Sequence, residues 1–188
     1  MEGLDGAGKS TLVAGLAGAL GAVVLREPGG VELSERIRGL VIDPALRCDP
    51  RAEALLYAAA RAQLVAERLR PLLETGATVV LDRFVDSSLA YQGGGRGLGV
   101  EPIRALNDFA TGGLTPDRTL LLRIDPAAGL ARIAGGDADR LEQSGGEFFA
   151  AVARTYDELA AAEPERFVVL DATQPPDAVL AQALAALQ

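Results

Sequence analysis

Eight residues near the start, Gly3-Leu4-Asp5-Gly6-Ala7-Gly8-Lys9-Ser10, constrain this chain more than any other stretch. A glycine, four further residues and then Gly-Lys-Ser make a phosphate-binding loop. The glycines let backbone N–H groups turn inward around phosphate oxygens, the lysine reaches the terminal phosphates, and the serine hydroxyl is placed to ligate Mg²⁺. The apolar positions of Thr11-Leu12-Val13-Ala14-Gly15-Leu16 recur at helical spacing, so the loop opens a helix whose N-terminus attracts anions. Lys9 is the only lysine among 18 basic side chains. Arginine serves everywhere else, and lysine is kept where a compact ammonium on a flexible stem is wanted.

A loop of this kind normally leaves the end of a buried strand. Only Met1 and Glu2 stand before Gly3, so the sequence predicts a sheet whose first central strand is missing, either because the start is assigned several residues late or because the protein dispenses with it. Omitting a central strand would unpair two ladders, a loss comparable to a net stability of about 5–15 kcal/mol, and this favours the late start.

At 188 residues and 49% hydrophobic the chain is expected to form one domain, 1–188. Its apolar runs are strand-length or broken by charge and glycine, and no basic-apolar leader precedes the loop, so no membrane association and a cytoplasmic location are expected. Cys48 is alone and histidine is absent, which excludes an internal disulfide, a Cys/His zinc site and histidine acid–base chemistry. A net charge of −8 argues against a nucleic-acid surface. Chemistry therefore falls to carboxylates, arginines, Lys9 or a bound metal.

Four apolar runs end in polar residues and read as buried parallel strands: residues 22–26, 78–82, 119–125 and 167–171. Helical patterns lie between them over 12–20, 31–42, 52–73, 102–110, 148–162 and 178–187, and the alternation predicts a doubly wound α/β domain. The glycine-rich segments 92–97 and 134–137 read as mobile loops at a site. In such a sheet, ligands sit beyond the carboxyl ends of the strands. Three strand-end acids compete for the place near a metal. Asp125 precedes Pro126 and a helical stretch and reads as a cap. Asp171 opens a turn, and Asp43 before Pro44 reads as structural. Asp82, joined to Arg83 and a polar loop, stands first. Arg26, Arg83 and Arg96 sit where guanidinium forks can meet phosphate, and Tyr57 and Arg61 share one helix face.

Together these segments resemble bacterial thymidylate kinases, almost end to end. The resemblance is carried by Glu2 to Thr11, Arg26-Glu27-Pro28-Gly29-Gly30, Asp82-Arg83-Phe84, Ser87-Ser88-Leu89-Ala90-Tyr91-Gln92-Gly93, Pro116 to Leu120, Asp139-Arg140-Leu141-Glu142 and Asp171-Ala172-Thr173. It implies a three-layer P-loop fold with a small lid at about 134–145, and transfer of the γ-phosphoryl group of ATP to dTMP with Mg²⁺. It further implies an ATP site of Gly3, Leu4, Asp5, Gly6, Ala7, Gly8, Lys9, Ser10, Thr11, Arg132, Arg140, Ala172 and Thr173. The dTMP site would be Glu27, Tyr57, Arg61, Arg83, Ser88, Tyr91 and Gln92, with Lys9, Arg83, Arg140 and Asp5 catalytic, Ser10, Asp82 and Asp5 near the metal, and a homodimeric assembly. A chain without histidine suits this chemistry, because a phosphate acceptor already carries charge and needs positioning and neutralisation more than a strong base.

Three positions depart from the resemblance. Tyr57 stands where phenylalanine is usual, Arg123 ends a strand that usually ends in aspartate, and the lid offers Gly135-Gly136 where several arginines are usual. Arg132 and Arg140 are the remaining candidates to clamp the transferring group. The competing readings are another nucleoside monophosphate kinase and a truncated, non-catalytic nucleotide-binding remnant. A GTPase would need an Asn-Lys-x-Asp motif, which a chain with Lys9 alone cannot supply.

Overall fold

The computed structural model describes residues 1–133, 135 and 139–187. All five strands are short and parallel. β2 (Val23–Arg26) pairs with β3 (Val79–Asp82), while β1 (Glu2–Gly3) pairs with β4 (Thr119–Arg123), which pairs with β5 (Phe167–Asp171). Met1 joins the two sets. Its amino group donates to the Leu81 carbonyl at 2.8 Å, and its own carbonyl accepts from Arg83 N at 2.9 Å. The strands therefore lie in the order β2-β3-β1-β4-β5, with the phosphate loop leaving the middle.

This corrects the expectation of an absent first strand. A two-residue strand is present, in register Glu2↔Leu121 and Gly3↔Leu122. Side-chain bonding reinforces the short ladder. The buried Glu2 carboxylate accepts from Phe84 N at 2.8 Å, Ser87 Oγ at 2.5 Å and Tyr156 Oη at 2.7 Å, tying the start of the loop to the segment after β3 and to a helix behind it.

The helices follow the apolar periodicity closely: α1 (Lys9–Leu20), α2 (Glu32–Ile42), α3 (Pro50–Leu64), α6 (Val100–Thr111), α8 (Gly146–Ala162) and α9 (Pro176–Ala186). The long pattern predicted over 52–73 is one helical column with a π turn at Val65–Leu69 before α4 (Arg70–Glu74). Pro71 explains the turn: it has no N–H to give the preceding turn, and the backbone widens so that Arg70 N donates to Val65 O. Asp125 accepts from Ala127 N and Ala128 N at the start of α7 (Pro126–Ile133), the capping role read from its sequence.

The segment 92–97, expected as a mobile loop, is different. α5 (Val85–Ser88) runs directly into a π-helical stretch, Leu89–Gly95, that is largely buried against α8. A Cβ on Gly94 would collide with Thr155 Oγ1, and one on Gly95 would sit inside Phe148 and Val152. These glycines allow close helix–helix approach, and flexibility is not their function here. Residues 134 and 136–138, part of the second glycine-rich segment and of the expected lid, lie outside the described residues.

Candidate active site

The phosphate loop is shaped from below. Gly6 takes φ 77° directly over the carbonyl of Gly129 in α7, where a side chain would clash, and Gly8 takes φ 93° ahead of α1. Lys9 begins the helix with its ammonium turned back onto the loop, donating to Gly3 O at 3.1 Å and Leu4 O at 2.8 Å and lying 3.6 Å from Asp5 Oδ1. Burial, reinforced by the charge of Arg83, lowers its pKa from 10.5 to about 8, although Asp5, Asp82 and Glu2 oppose the shift. Ser10 and Thr11 are exposed at the mouth of the loop. Arg132 lies along the other side, donating to Gly6 O and Ala172 O, so it ties the loop to the turn after β5. In that turn Asp171 accepts from Thr173 N and Thr173 Oγ1, a local structural role.

Arg83 is the hinge between this loop and a second pocket. It is the one non-glycine residue with positive φ among those described, at 65°. Its guanidinium donates to Gly3 O and Ser87 Oγ, to Asp5 Oδ1 at 2.6 Å and to Tyr91 Oη at 3.2 Å, and it lies over the Tyr91 ring. Burial by itself would raise the pKa of Asp5; Arg83 and Lys9 outweigh it and hold the carboxyl at about 2. A strained backbone held by this many bonds at the junction of two pockets fits a positioned charge.

The second pocket, about 110 Å³, brings together Asp5, Glu27, Tyr57, Arg61, Arg83, Ser88, Tyr91 and Gln92, all read from the sequence. Arg38, Ser87 and Asp139 line it as well. Arg61 is 2% exposed and forms much of the back wall. Its five N–H groups go to Glu27, for which both Nε and Nη2 are in reach, to Ser88 Oγ, to Asn107 Oδ1 and to Phe84 O. Glu27 Oε1 is buried and has no partner. Burial raises the pKa of Glu27 to about 7 against the pull of Arg61. Tyr57 is half-buried, its hydroxyl in the field of Glu53, Arg83, Asp139 and Arg140.

Arg140 lies elsewhere than beside the phosphate loop. It donates to Val41 O at 2.9 Å and to Glu53 Oε2 at 2.7 Å, which fastens this part of the expected lid segment to α2 and α3. Glu53, wholly buried, also takes Gln92 Nε2 at 2.9 Å and Arg96 Nη2 at 3.0 Å. Arg26 is engaged by Glu35. Sequence reasoning missed Glu53, Arg38, Glu2 and Asn107. Glu53 had a signal, since Glu53, Tyr57 and Arg61 repeat at four-residue spacing along one face of α3. Glu2 and Asn107 had none, because their partners are 82 and 46 residues away. At the carboxyl end of β3, Asp82 Oδ1 is buried without a partner.

A phosphate loop at the carboxyl edge of a parallel sheet, facing a second pocket walled by arginines and an aromatic ring, defines a P-loop phosphotransferase. The thymidylate kinase family model matches residues 1–183, so the chain belongs to the thymidylate kinase family. It is 52% identical to the thymidylate kinase of Deinococcus radiodurans, over 100% of this chain and 94% of that protein. It is 48% identical to that of Lactobacillus helveticus, over 100% and 93%. The crystal structure of thymidylate kinase from Ehrlichia chaffeensis superposes with a TM-score of 0.83 at 29% identity, covering 100% of this chain and 95% of that one.

Proposed function

We propose that this protein phosphorylates dTMP to dTDP at the expense of ATP. The carrying observation is the shared bonding of Arg83 and Asp5, which puts one guanidinium and one carboxylate between the phosphate loop and the arginine-walled pocket. ATP belongs on the loop, its terminal phosphates drawing the Lys9 ammonium away from the Gly3 and Leu4 carbonyls. dTMP belongs in the second pocket. Tyr57 supplies a face for the base, Glu27 Oε1 and Gln92 supply polar partners, and Arg38 and Arg83 face the acceptor phosphate. Arg61 acts by holding Glu27 and Ser88 in place, since its own donors are taken. Catalysis is then alignment and charge neutralisation.

The oxygen donors suit Mg²⁺. Asp82 offers an unpartnered buried carboxylate oxygen, Asp5 a loop carboxylate 3.6 Å from the Lys9 ammonium, and Ser10 an exposed hydroxyl. Among the described residues no three or more His, Cys, Asp or Glu converge as a cage. That fits an ion held by one or two carboxylates together with phosphates. When bound, the ion neutralises charge on the phosphate oxygens, while Lys9 and Arg83 hold them in line.

The test is a substrate panel. dTDP formation from dTMP and ATP should exceed phosphorylation of dUMP, dCMP and AMP, and equal rates on all four would sink the assignment. The methyl group separating dTMP from dUMP is worth only about 1–3 kcal/mol, so measurable dUMP turnover is expected. A second expectation concerns Lys9. The bound phosphates restore its charge, so ATP binding at pH 8 should take up about half a proton, falling toward none near pH 6.5. Calorimetry in buffers of different ionisation enthalpy reads this directly, and a buffer-independent enthalpy at pH 8 would contradict it.

A homodimer belongs to the same reading. Leu55 on α3 is 58% exposed and Phe109 on α6 is 88% exposed, large apolar side chains left on two helices that pack together. Phe109→Asp should shift sedimentation toward the monomer with little loss of helicity. Among the described residues no helix is long and apolar enough to cross a membrane.

A further inference from the structure

Glu53 is fully buried on α3, and three side chains converge on its carboxylate. Arg140 Nη1 and Arg96 Nη2 meet Oε2 at 2.7 and 3.0 Å, and Gln92 Nε2 donates to Oε1 at 2.9 Å. The last of these contacts sets the polarity of the second pocket. A glutamine amide has a donating end and an accepting end, and its neighbours decide where each points. A carboxylate offers acceptors alone, so the Gln92 NH2 group is committed to Glu53, and the Gln92 carbonyl would be repelled from the same place. Gln92 is itself buried and lines the pocket, and among the described residues no donor takes its Oε1. What it presents to a ligand there is an acceptor. Four residues earlier, Ser88 is fixed in the complementary sense. Its Oγ accepts from Arg61 Nη1 at 2.9 Å, and among the described residues no acceptor takes its proton, so it offers the same pocket a donor.

We infer that Glu53 is a positioning residue for base selection, holding the Gln92 amide so that an acceptor beside the Ser88 donor meets the edge of a pyrimidine. This rests on the base occupying the second pocket, as proposed above. Thymine carries O4 next to N3–H, an acceptor next to a donor, and it matches the pair. Cytosine carries an amino group next to a bare N3 and opposes the pair at both places. A free amide could rotate to suit either base, and selection would be lost. Glu53 removes that freedom because it is anchored from two further segments, through Arg96 and through Arg140 of the expected lid segment. Mismatched polar groups in a buried site reject a ligand more sharply than a missing methyl does, so this device separates thymine from cytosine where apolar contact could not.

Glu53→Gln tests this because it should reverse the Gln92 amide. The two guanidiniums draw the new amide oxygen to the place of Oε2, which leaves the new NH2 group facing Gln92. The Gln92 carbonyl then turns toward it, and the Gln92 NH2 group turns toward the base. Kinetics with dTMP and with dCMP compare the two proteins. Preference of the unaltered protein for dTMP bears on the proposed function; the change of preference in the variant bears on Glu53. The ratio of kcat/KM for dTMP over dCMP should fall by at least ~10-fold, the scale of one hydrogen bond turned against its base. A merely structural role would lower both substrates alike, and an unchanged ratio would overturn the inference. A second measurement needs no variant that must fold around a changed Glu53. The side-chain NH2 signals of Gln92, identified by their loss in Gln92→Met, should exchange with water at least ~10-fold more slowly than a free glutamine amide before nucleotide is added, and dTMP should leave that rate unchanged. Protection that appears only with dTMP would place the NH2 group on the base and overturn the inference.

Discussion

Lys9→Met should lower kcat by roughly 10²–10³-fold, the usual scale for removing one preorganised donor from a transferring charge. Its melting temperature should stay equal or rise. The two effects separate because the Lys9 ammonium is costly to bury in the free protein, where it makes two carbonyl bonds and a 3.6 Å contact to Asp5, and its pKa falls to about 8. Methionine keeps the length and the packing of the stem and removes the buried charge. Steady-state kinetics with both substrates saturating, alongside thermal unfolding without ligand, would check this. A variant that lost stability and activity in parallel would make Lys9 structural.

Arg61→Leu should act in the opposite sense, on the fold first. It leaves the Glu27 carboxylate buried without its partner, and breaking such pairs costs about 3–5 kcal/mol. At about 2–4 °C per kcal/mol for a domain of this length, the melting temperature should fall by roughly 6–20 °C. The deficit should depend on pH. Burial already holds the Glu27 pKa at about 7, above its ordinary 4.5. A carboxyl whose folded pKa is raised contributes stability below the unfolded value and loses it as pH rises through the folded value. Without Arg61 the neutral form is favoured further, so the deficit should be smaller at pH 5.5 than at pH 8. Urea titrations of both proteins at the two values measure it, and a deficit that grew on acidification would contradict the ion-pair account. The double variant Arg61→Leu, Glu27→Leu should recover part of the loss, because no unpaired charge remains.

Local pattern made much of this molecule legible. The strands β2 to β5 and six of the helices lie within a few residues of the apolar runs that announce them, because a parallel sheet buried on both faces needs continuous apolar strands. The phosphate loop and the Asp125 cap were readable for the same reason, since their partners lie within a few residues. The failures were non-local. Gly93-Gly94-Gly95 looks like a loop in sequence, and the helix contact that requires it comes from Thr155 and Phe148, more than 50 residues on. Arg140 reads as a phosphate clamp by its place in the lid segment, and the bonds it makes here, to the wholly buried Glu53 carboxylate and the helix-end carbonyl of Val41, come from 87 and 99 residues away and could not be read from that segment. The two-residue β1 was invisible because its ladder needs residues from β3 and β4 to define it.

The rarity of lysine has a practical side. The chain has one ε-amine, in the phosphate loop. A reagent for side-chain amines therefore has one target in the sequence, Lys9. The extent of labelling becomes a reporter of loop occupancy, read by mass spectrometry on the native sequence with no engineered probe.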